Sequence, residues 1–204
     1  MEKTMRKLER RVLPAGGLKI RRNASGGANL TGYSAVFNRP SENLGWGDTE
    51  IREYIAPGAF TKALRSSNCV AVFNHDQNLI LGRESAGTLE LKQDDRGLLA
   101  TIHLPDTQLG RDLAVSVERG DITGQSFCFV VARDNWARDK KTDVATRTIL
   151  EIEELIDIGP VTHPAYPDTS IARRSFEHFR AGSTGHRLKH FNHRKNYLKS
   201  KGII

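Results

Sequence analysis

Ser126 stands in the middle of Ile122-Thr123-Gly124-Gln125-Ser126-Phe127-Cys128-Phe129-Val130, a run whose other residues suit a buried strand. A hydroxyl in such a place is costly to bury and adds nothing to packing, so it needs a partner. A second apolar run upstream, Cys69-Val70-Ala71-Val72-Phe73-Asn74-His75-Asp76, carries a histidine at its end. A serine hydroxyl is a poor nucleophile until a base takes its proton, and imidazole is the usual base. Taken singly, a strand serine ordinarily bonds a neighbouring carbonyl and a strand-end histidine ordinarily lies on the surface. The pair points to a serine hydrolase.

The base works best when a third polar group fixes its tautomer and stabilises its charged form. The run Glu151-Ile152-Glu153-Glu154-Leu155-Ile156-Asp157-Ile158 offers carboxylates at 151, 153 and 157, which share one face of a regular strand by its period of two. Asp76 is a poorer orienter, because a strand neighbour of His75 points to the opposite face. For the oxyanion, the amides near Ser126 and the side chains of Arg133 and Thr162 are all candidates, and the sequence does not choose among them. Cys128 occupies the second position after Ser126, so the Gly-x-Ser-x-Gly elbow of an α/β-hydrolase is absent.

These residues need strands and turns to hold them. Residues 30–37 and 51–55 have the β-branched and aromatic content of strands. A short helix is expected over 59–66 and a strand over 69–74. Residues 87–92 and 97–104 form a hairpin about Asp94-Asp95-Arg96-Gly97. Thr107 to Arg119 reads as a helix, with Leu109, Leu113 and Val117 at spacings of four and Gly120 closing it. The Ser126 strand follows, then a polar loop over 133–145 and a strand over 147–158. The order does not alternate β and α, which argues against a doubly wound sheet. The expected fold is α+β and mainly β, a mostly antiparallel, barrel-like sheet flanked by helices.

A chain of 204 residues fits one domain with tails. Residues 1–23 are expected to be a basic flexible leader, 24–172 the folded body and 173–204 a basic, largely disordered tail. Eight Lys/Arg oppose two acids in the first segment, and nine oppose one acid over 172–204. The stretch between holds 14 basic and 21 acidic residues, so an acidic body lies between basic ends. Cys69 and Cys128 sit inside apolar runs and read as small core residues, not as an oxidised scaffold. Residues 1–11 lack the apolar core of a signal peptide, and no run approaches the roughly 18 apolar residues of a membrane span. A soluble, intracellular protein is expected, with no cofactor.

Six ordered blocks carry a resemblance. They are Gly32-Tyr33 with Ala35-Val36-Phe37-Asn38; Glu53 and Ile55 with Pro57-Gly58-Ala59-Phe60; Phe73-Asn74-His75-Asp76; Gly82-Arg83 with Gly87-Thr88-Leu89; Gly124-Gln125-Ser126-Phe127; and Pro160-Val161-Thr162 with Pro164-Ala165-Tyr166-Pro167. In this order they resemble the tailed-phage prohead maturation proteases over about residues 29–172. The resemblance implies a herpesvirus assemblin-like serine protease, an antiparallel β-barrel surrounded by helices. It implies an endopeptidase packaged inside the immature capsid, or prohead, in the host cytoplasm. There it cuts the scaffold or the scaffolding arm of the major capsid protein, and usually itself, often gaining activity as a homodimer. By the same carry-over His75 is the general base and Ser126 the nucleophile. Asp157 is the first choice for the acid, Glu153 the second and Glu151 the third, because Asp157-Ile158-Gly159 stands where the family usually has an acid followed by Val-Ser.

The tails suggest two further readings. Basic ends with Phe176, Phe179, Phe191 and Tyr197 suit weak, salt-sensitive binding of nucleic acid. His186, His190 and His193 have helical spacing for a metal, but Gly182 and Gly185 and the absence of neighbouring cysteines or carboxylates argue against one, so no metal is expected. A capsid component with an inert serine is the remaining alternative.

Overall fold

Short runs of β-branched and aromatic residues recur along the chain, and strands dominate its computed structural model, which describes residues 8–13, 17–23, 27–45, 48–139 and 141–162. Among the described residues ten strands form two sheets, with two α-helices and one 3-10 turn. In the first sheet β9 (Gly124–Arg138) and β10 (Ala145–Val161) pair antiparallel along their whole length. β1 (Leu8–Leu13) lies antiparallel on the free edge of β9. The other edge of β10 takes two strands in parallel, β4 (Ile51–Ile55) near its start and β5 (Val70–Val72) near its end. β6 (Ile80–Arg83) completes the sheet beside β5. The second sheet is antiparallel, in the order β2 (Lys19–Arg22), β3 (Ala28–Val36), β8 (Gly97–Leu104), β7 (Leu89–Gln93).

One core joins the two sheets. Leu30, Leu98, Ala100 and Ile102 from the second sheet pack in the same cluster as Phe127, Phe129, Ile149, Ile152 and Leu155 from the first. Phe60, Phe127 and Phe129 meet ring to ring at centroid distances of 5.8 and 4.7 Å. The helix α2 (Gln108–Glu118) buries Leu113, Ala114 and Val117 against this core. Thr107 caps it by accepting a hydrogen bond from the Gly110 amide, and Gly120 takes the left-handed conformation that ends it. The expected hairpin is present: Asp94 Oδ1 accepts from the amides of Arg96 and Gly97 at 2.8 and 3.0 Å.

Several expectations are corrected. The segment read as a flexible leader contributes β1 and β2. The polar stretch 133–145 is mostly the outer half of β9 and the start of β10. The helix expected over 59–66 is confined to α1 (Ala63–Ser66). The first sheet is mixed, and the described strands do not close into a barrel, because β1 and β6 remain separate edges and the second sheet keeps its own edges. Among the described residues no helix is long and apolar enough to cross a membrane. The tail 173–204, with its aromatic residues and the three histidines, lies outside the described residues.

The parallel approach of β5 to β10 depends on one residue. A Cβ on Gly159 would sit 1.9 Å from the Val72 carbonyl oxygen, closer than any side chain allows. Gly159→Ala is therefore expected to destabilise the protein by about 1–3 kcal/mol in denaturant unfolding, by forcing β5 away from β10.

Candidate active site

Ser126 sits near the start of β9, opposite Gly159 of β10. His75 lies just beyond β5, in a turn where both Asn74 and His75 have left-handed backbone angles (φ 54° and 59°). Asn and His adopt this region more readily than most residues. The turn is tied to the end of β10. The Asn74 amide donates to the Pro160 carbonyl at 3.1 Å, and Asn74 Oδ1 accepts from the amide and hydroxyl of Thr162 at 2.9 and 3.3 Å. This tether swings the imidazole back over the sheet.

The result is a hydrogen-bonded line. His75 Nε2 is 2.6 Å from Ser126 Oγ, and His75 Nδ1 is 2.5 Å from Asp157 Oδ1. Gln77 Nε2 donates to the other carboxylate oxygen of Asp157 at 3.3 Å. With its proton on Nδ1, a neutral imidazole satisfies both neighbours, donating to the carboxylate and accepting from the hydroxyl. All three side chains are largely withdrawn from solvent, and Ser126 and Asp157 are buried. The backbone carbonyl of Arg11 in β1, 3.0 Å from Ser126 Oγ, is a second acceptor that competes with His75 Nε2 for the hydroxyl's one proton.

The three carboxylates expected on one face do not share it. On β10, Leu150, Glu153 and Ile156 are extra residues in the ladder, and Ala132 is extra on β9. Each bulge resets the alternation of faces. Glu153 and Glu151 turn to Lys62, whose Nζ lies 2.6 and 3.4 Å from them, while Asp157 turns inward to His75. Asp76 bonds the amide and side chain of Asn78. Arg133 is an exposed side chain near Glu151, seven residues and roughly 23 Å along the strand from Ser126, out of reach of an oxyanion there. The Thr162 hydroxyl is already engaged, donating to Asn74 Oδ1 at 3.3 Å, as does its amide at 2.9 Å. Burial pushes the thiols of Cys69 and Cys128 up from their ordinary pKa, so both stay protonated and unreactive.

A second constellation, beside the first, is absent from the sequence reading. Arg11 of β1 makes a bidentate pair with Glu53 of β4, Nε to Oε1 at 2.6 Å and Nη2 to Oε2 at 2.7 Å. Arg147 of β10 binds Glu9, again through two nitrogens, at 2.6 and 2.9 Å, and reaches Glu53 at 3.0 Å and Asp134 at 2.6 Å. Glu9, Arg11, Glu53 and Arg147 are all buried. Burial alone would raise the pKa of Glu9, but its bonds to Arg147 and Arg11 outweigh that and lower it. Burial likewise opposes the charge on Arg147, and the bonds to Glu9 and the neighbouring Glu53 carboxylate outweigh it. The only trace of this cluster in the sequence is the spacing of Glu9 and Arg11, which puts both on one face of a strand. A cavity of about 630 Å³ on the second sheet, bordered by Lys19, Arg21, Tyr33 and Arg96, includes none of the Ser126, His75 or Asp157 side chains.

A mainly β protein with serine, histidine and carboxylate aligned across adjacent strands belongs to the class of folds that can support a serine hydrolase. The model of the caudovirus prohead serine proteases matches residues 17–181, and the chain belongs to that family. It is 31% identical over 146 residues to the prohead protease of Enterobacteria phage HK97. The match covers 69% of this chain and 57% of that protein, so it spans less than two thirds of the relative's length. The solved capsid assembly protease of bacteriophage T4 shares the fold at a TM-score of 0.51, with 12% identity over 76% of this chain and 97% of the other.

Two measurements check the ion cluster. Arg147→Met leaves Glu9 and Glu53 buried with half their partners and should cost about 3–5 kcal/mol of stability. Glu9, with a folded pKa below its ordinary 4.5, contributes stability that is complete above pH 4.5 and is lost as pH falls through the lower folded value. Melting curves should therefore drop on acidification below 4.5, with a shallower drop in Glu9→Gln.

Proposed function

We propose that the chain is a serine endopeptidase of capsid maturation, with Ser126 as nucleophile, His75 as general base and Asp157 as the residue that orients the base. The observation that carries this reading is the line of short hydrogen bonds from Asp157 through His75 to Ser126, within a chain of the prohead protease family. In the proposed reaction Ser126 Oγ attacks the peptide carbonyl while His75 Nε2 takes the hydroxyl proton. Asp157 stabilises the imidazolium that forms, and Gln77 holds the carboxylate in place. The proton on Nε2 then passes to the leaving amine. Water, deprotonated by the same nitrogen, releases the acyl group from Ser126.

The substrates proposed are the scaffold or the scaffolding arm of the major capsid protein, and the chain itself, inside the prohead. Support comes from the family and from the relatives named as prohead and capsid assembly proteases. Kinship with the herpesvirus assemblin proteases, without a closed barrel, is part of the same proposal, supported by the mainly β core and the Ser–His–acid line. Residues 24–172 are proposed as the protease unit, together with the strands that precede it, and 173–204 as a basic appendage.

Co-expression with the major capsid protein of the same phage, followed by intact-mass measurement of both chains, tests this. Wild type should truncate the capsid protein. Ser126→Ala and His75→Ala should each lower the rate by about 10⁶-fold because they act as a unit, and Asp157→Asn by about 10⁴-fold. Glu153→Gln should cleave at the wild-type rate. Equal cleavage by wild type and Ser126→Ala would refute the proposal.

A further inference from the structure

Ser126 is fully buried, so no second chain can reach it as the structure stands. What covers it is β1. In the antiparallel register Val12 lies opposite Ser126 and Arg11 opposite Phe127, and the Arg11 carbonyl accepts the Ser126 hydroxyl proton at 3.0 Å. A hydroxyl has one proton, and while Arg11 holds it His75 cannot take it. Among the described residues β1 is an edge strand, bonded on one side only, and it precedes residues 17–181, the part of the chain that matches the family. Removing β1 in thought bares the hydrogen-bonding edge of β9 beside the nucleophile. It also bares two buried charges from other strands, Glu53 of β4 and Arg147 of β10.

A sheet edge next to a nucleophile is built to accept an extended peptide: backbone bonds give affinity and alternate side chains give selectivity. β1 supplies such alternation. Its inward residues are Glu9, held by Arg147 through two nitrogens, and Arg11, held by Glu53 through both carboxylate oxygens. Arg10, between them, is exposed.

We propose that the substrate binds as an antiparallel strand on the β9 edge that β1 now covers, with an acidic residue read by Arg147 and, two positions later, a basic residue read by Glu53. This rests on the protease reading above. β1 is then an internal occupant of the substrate site, and it must leave before another chain is cut. The register puts the carbonyl of the basic residue at Ser126, so the bond cut is the one that follows it. Ser126 Oγ bonds to that carbonyl carbon and the C–N bond breaks. The amine leaves with the proton carried by His75, and one water then restores the serine and frees the new carboxyl group. Glu53 and Arg147 are selectivity residues here. The planar bidentate grip on Arg11 favours arginine over lysine.

The test uses the full chain and fluorogenic peptides containing Glu-X-Arg, Ala-X-Arg, Glu-X-Ala and Arg-X-Glu, with cut sites read by mass. Wild type, Arg11→Ala and Glu53→Gln are compared, and capsid-protein cleavage is followed in the same preparations. Arg11→Ala, which frees Glu53 from β1, should cleave Glu-X-Arg about tenfold faster than wild type does, and about tenfold faster than it cleaves Arg-X-Glu. The cut should follow the arginine, and Glu53→Gln should lose the preference for it. A second readout needs no variant: fragments of capsid protein digested by wild type should end in a basic residue with an acid two positions earlier. Capsid-protein cleavage without that pattern, together with peptide rates indifferent to the exchange of acid and base, would overturn the proposal and leave the protease standing. Absence of any cleavage, of peptide or capsid protein, by all three chains would bring down both.

Discussion

The hydrogen bonds from Asp157 through His75 to Ser126 join three segments far apart in the chain, and most features of the surrounding fold are conditions for them. β10 must carry a bulge before Asp157 so that this carboxylate, and not its strand neighbours, faces inward. β5 must run close beside β10, which Gly159 permits by having no side chain. The chain must then reverse at Asn74 and His75 through two left-handed residues, a conformation held by the bonds from Asn74 to Pro160 and Thr162. Each condition is local, and each costs free energy that a plain strand would not spend. A line of short polar contacts in a buried place needs that much support, since any member left unpaired there is expensive.

The ion cluster of Glu9, Arg11, Glu53 and Arg147 imposes the second constraint. Two positive and two negative side chains are withdrawn from water together, with Asp134 at the rim. Desolvation of such charges is repaid only when geometry and hydrogen bonding are nearly complete, and here the guanidinium groups of both arginines make paired contacts. The cluster fastens β1 to β4 and β10, in addition to its backbone bonds to β9. β1 is therefore fixed by groups that sort by charge and spacing, whereas the interior of the sheets is fixed by shape. An apolar strand on this edge would leave Glu53 and Arg147 with incomplete partners.

The serine, the histidine, the Asp94 hairpin and α2 were legible in the sequence, because each announces itself locally: a hydroxyl in an apolar run, turn residues at fixed offsets, a spacing of four. β1 was hidden because its charges look like those of a solvated leader; only the partners Glu53 and Arg147, remote in sequence, make them interior. A period of two places Glu151, Glu153 and Asp157 on one face, and bulges, which leave no clear composition signal, part Asp157 from the two glutamates that turn to Lys62. Only the family resemblance, not the strand pattern, puts Asp157 ahead of Glu153. The parallel pairings of β4 and β5 to β10 were equally invisible, since short apolar runs do not declare their partners or direction. The sequence also hid Gln77 and Asn74, whose contacts to the acid and to the turn are made only by the fold.

The Asp157–His75–Ser126 line depends on one buried proton, the Nδ1 proton that His75 donates to Asp157. Proton NMR of the full chain, labelled with nitrogen-15 at its seven histidines, observes that proton directly. One strongly deshielded imidazole proton is expected, slow to exchange with water, that disappears in His75→Ala and in Asp157→Asn but persists in Glu153→Gln. A spectrum in which every imidazole proton exchanges freely, or in which the deshielded signal survives Asp157→Asn, would contradict it.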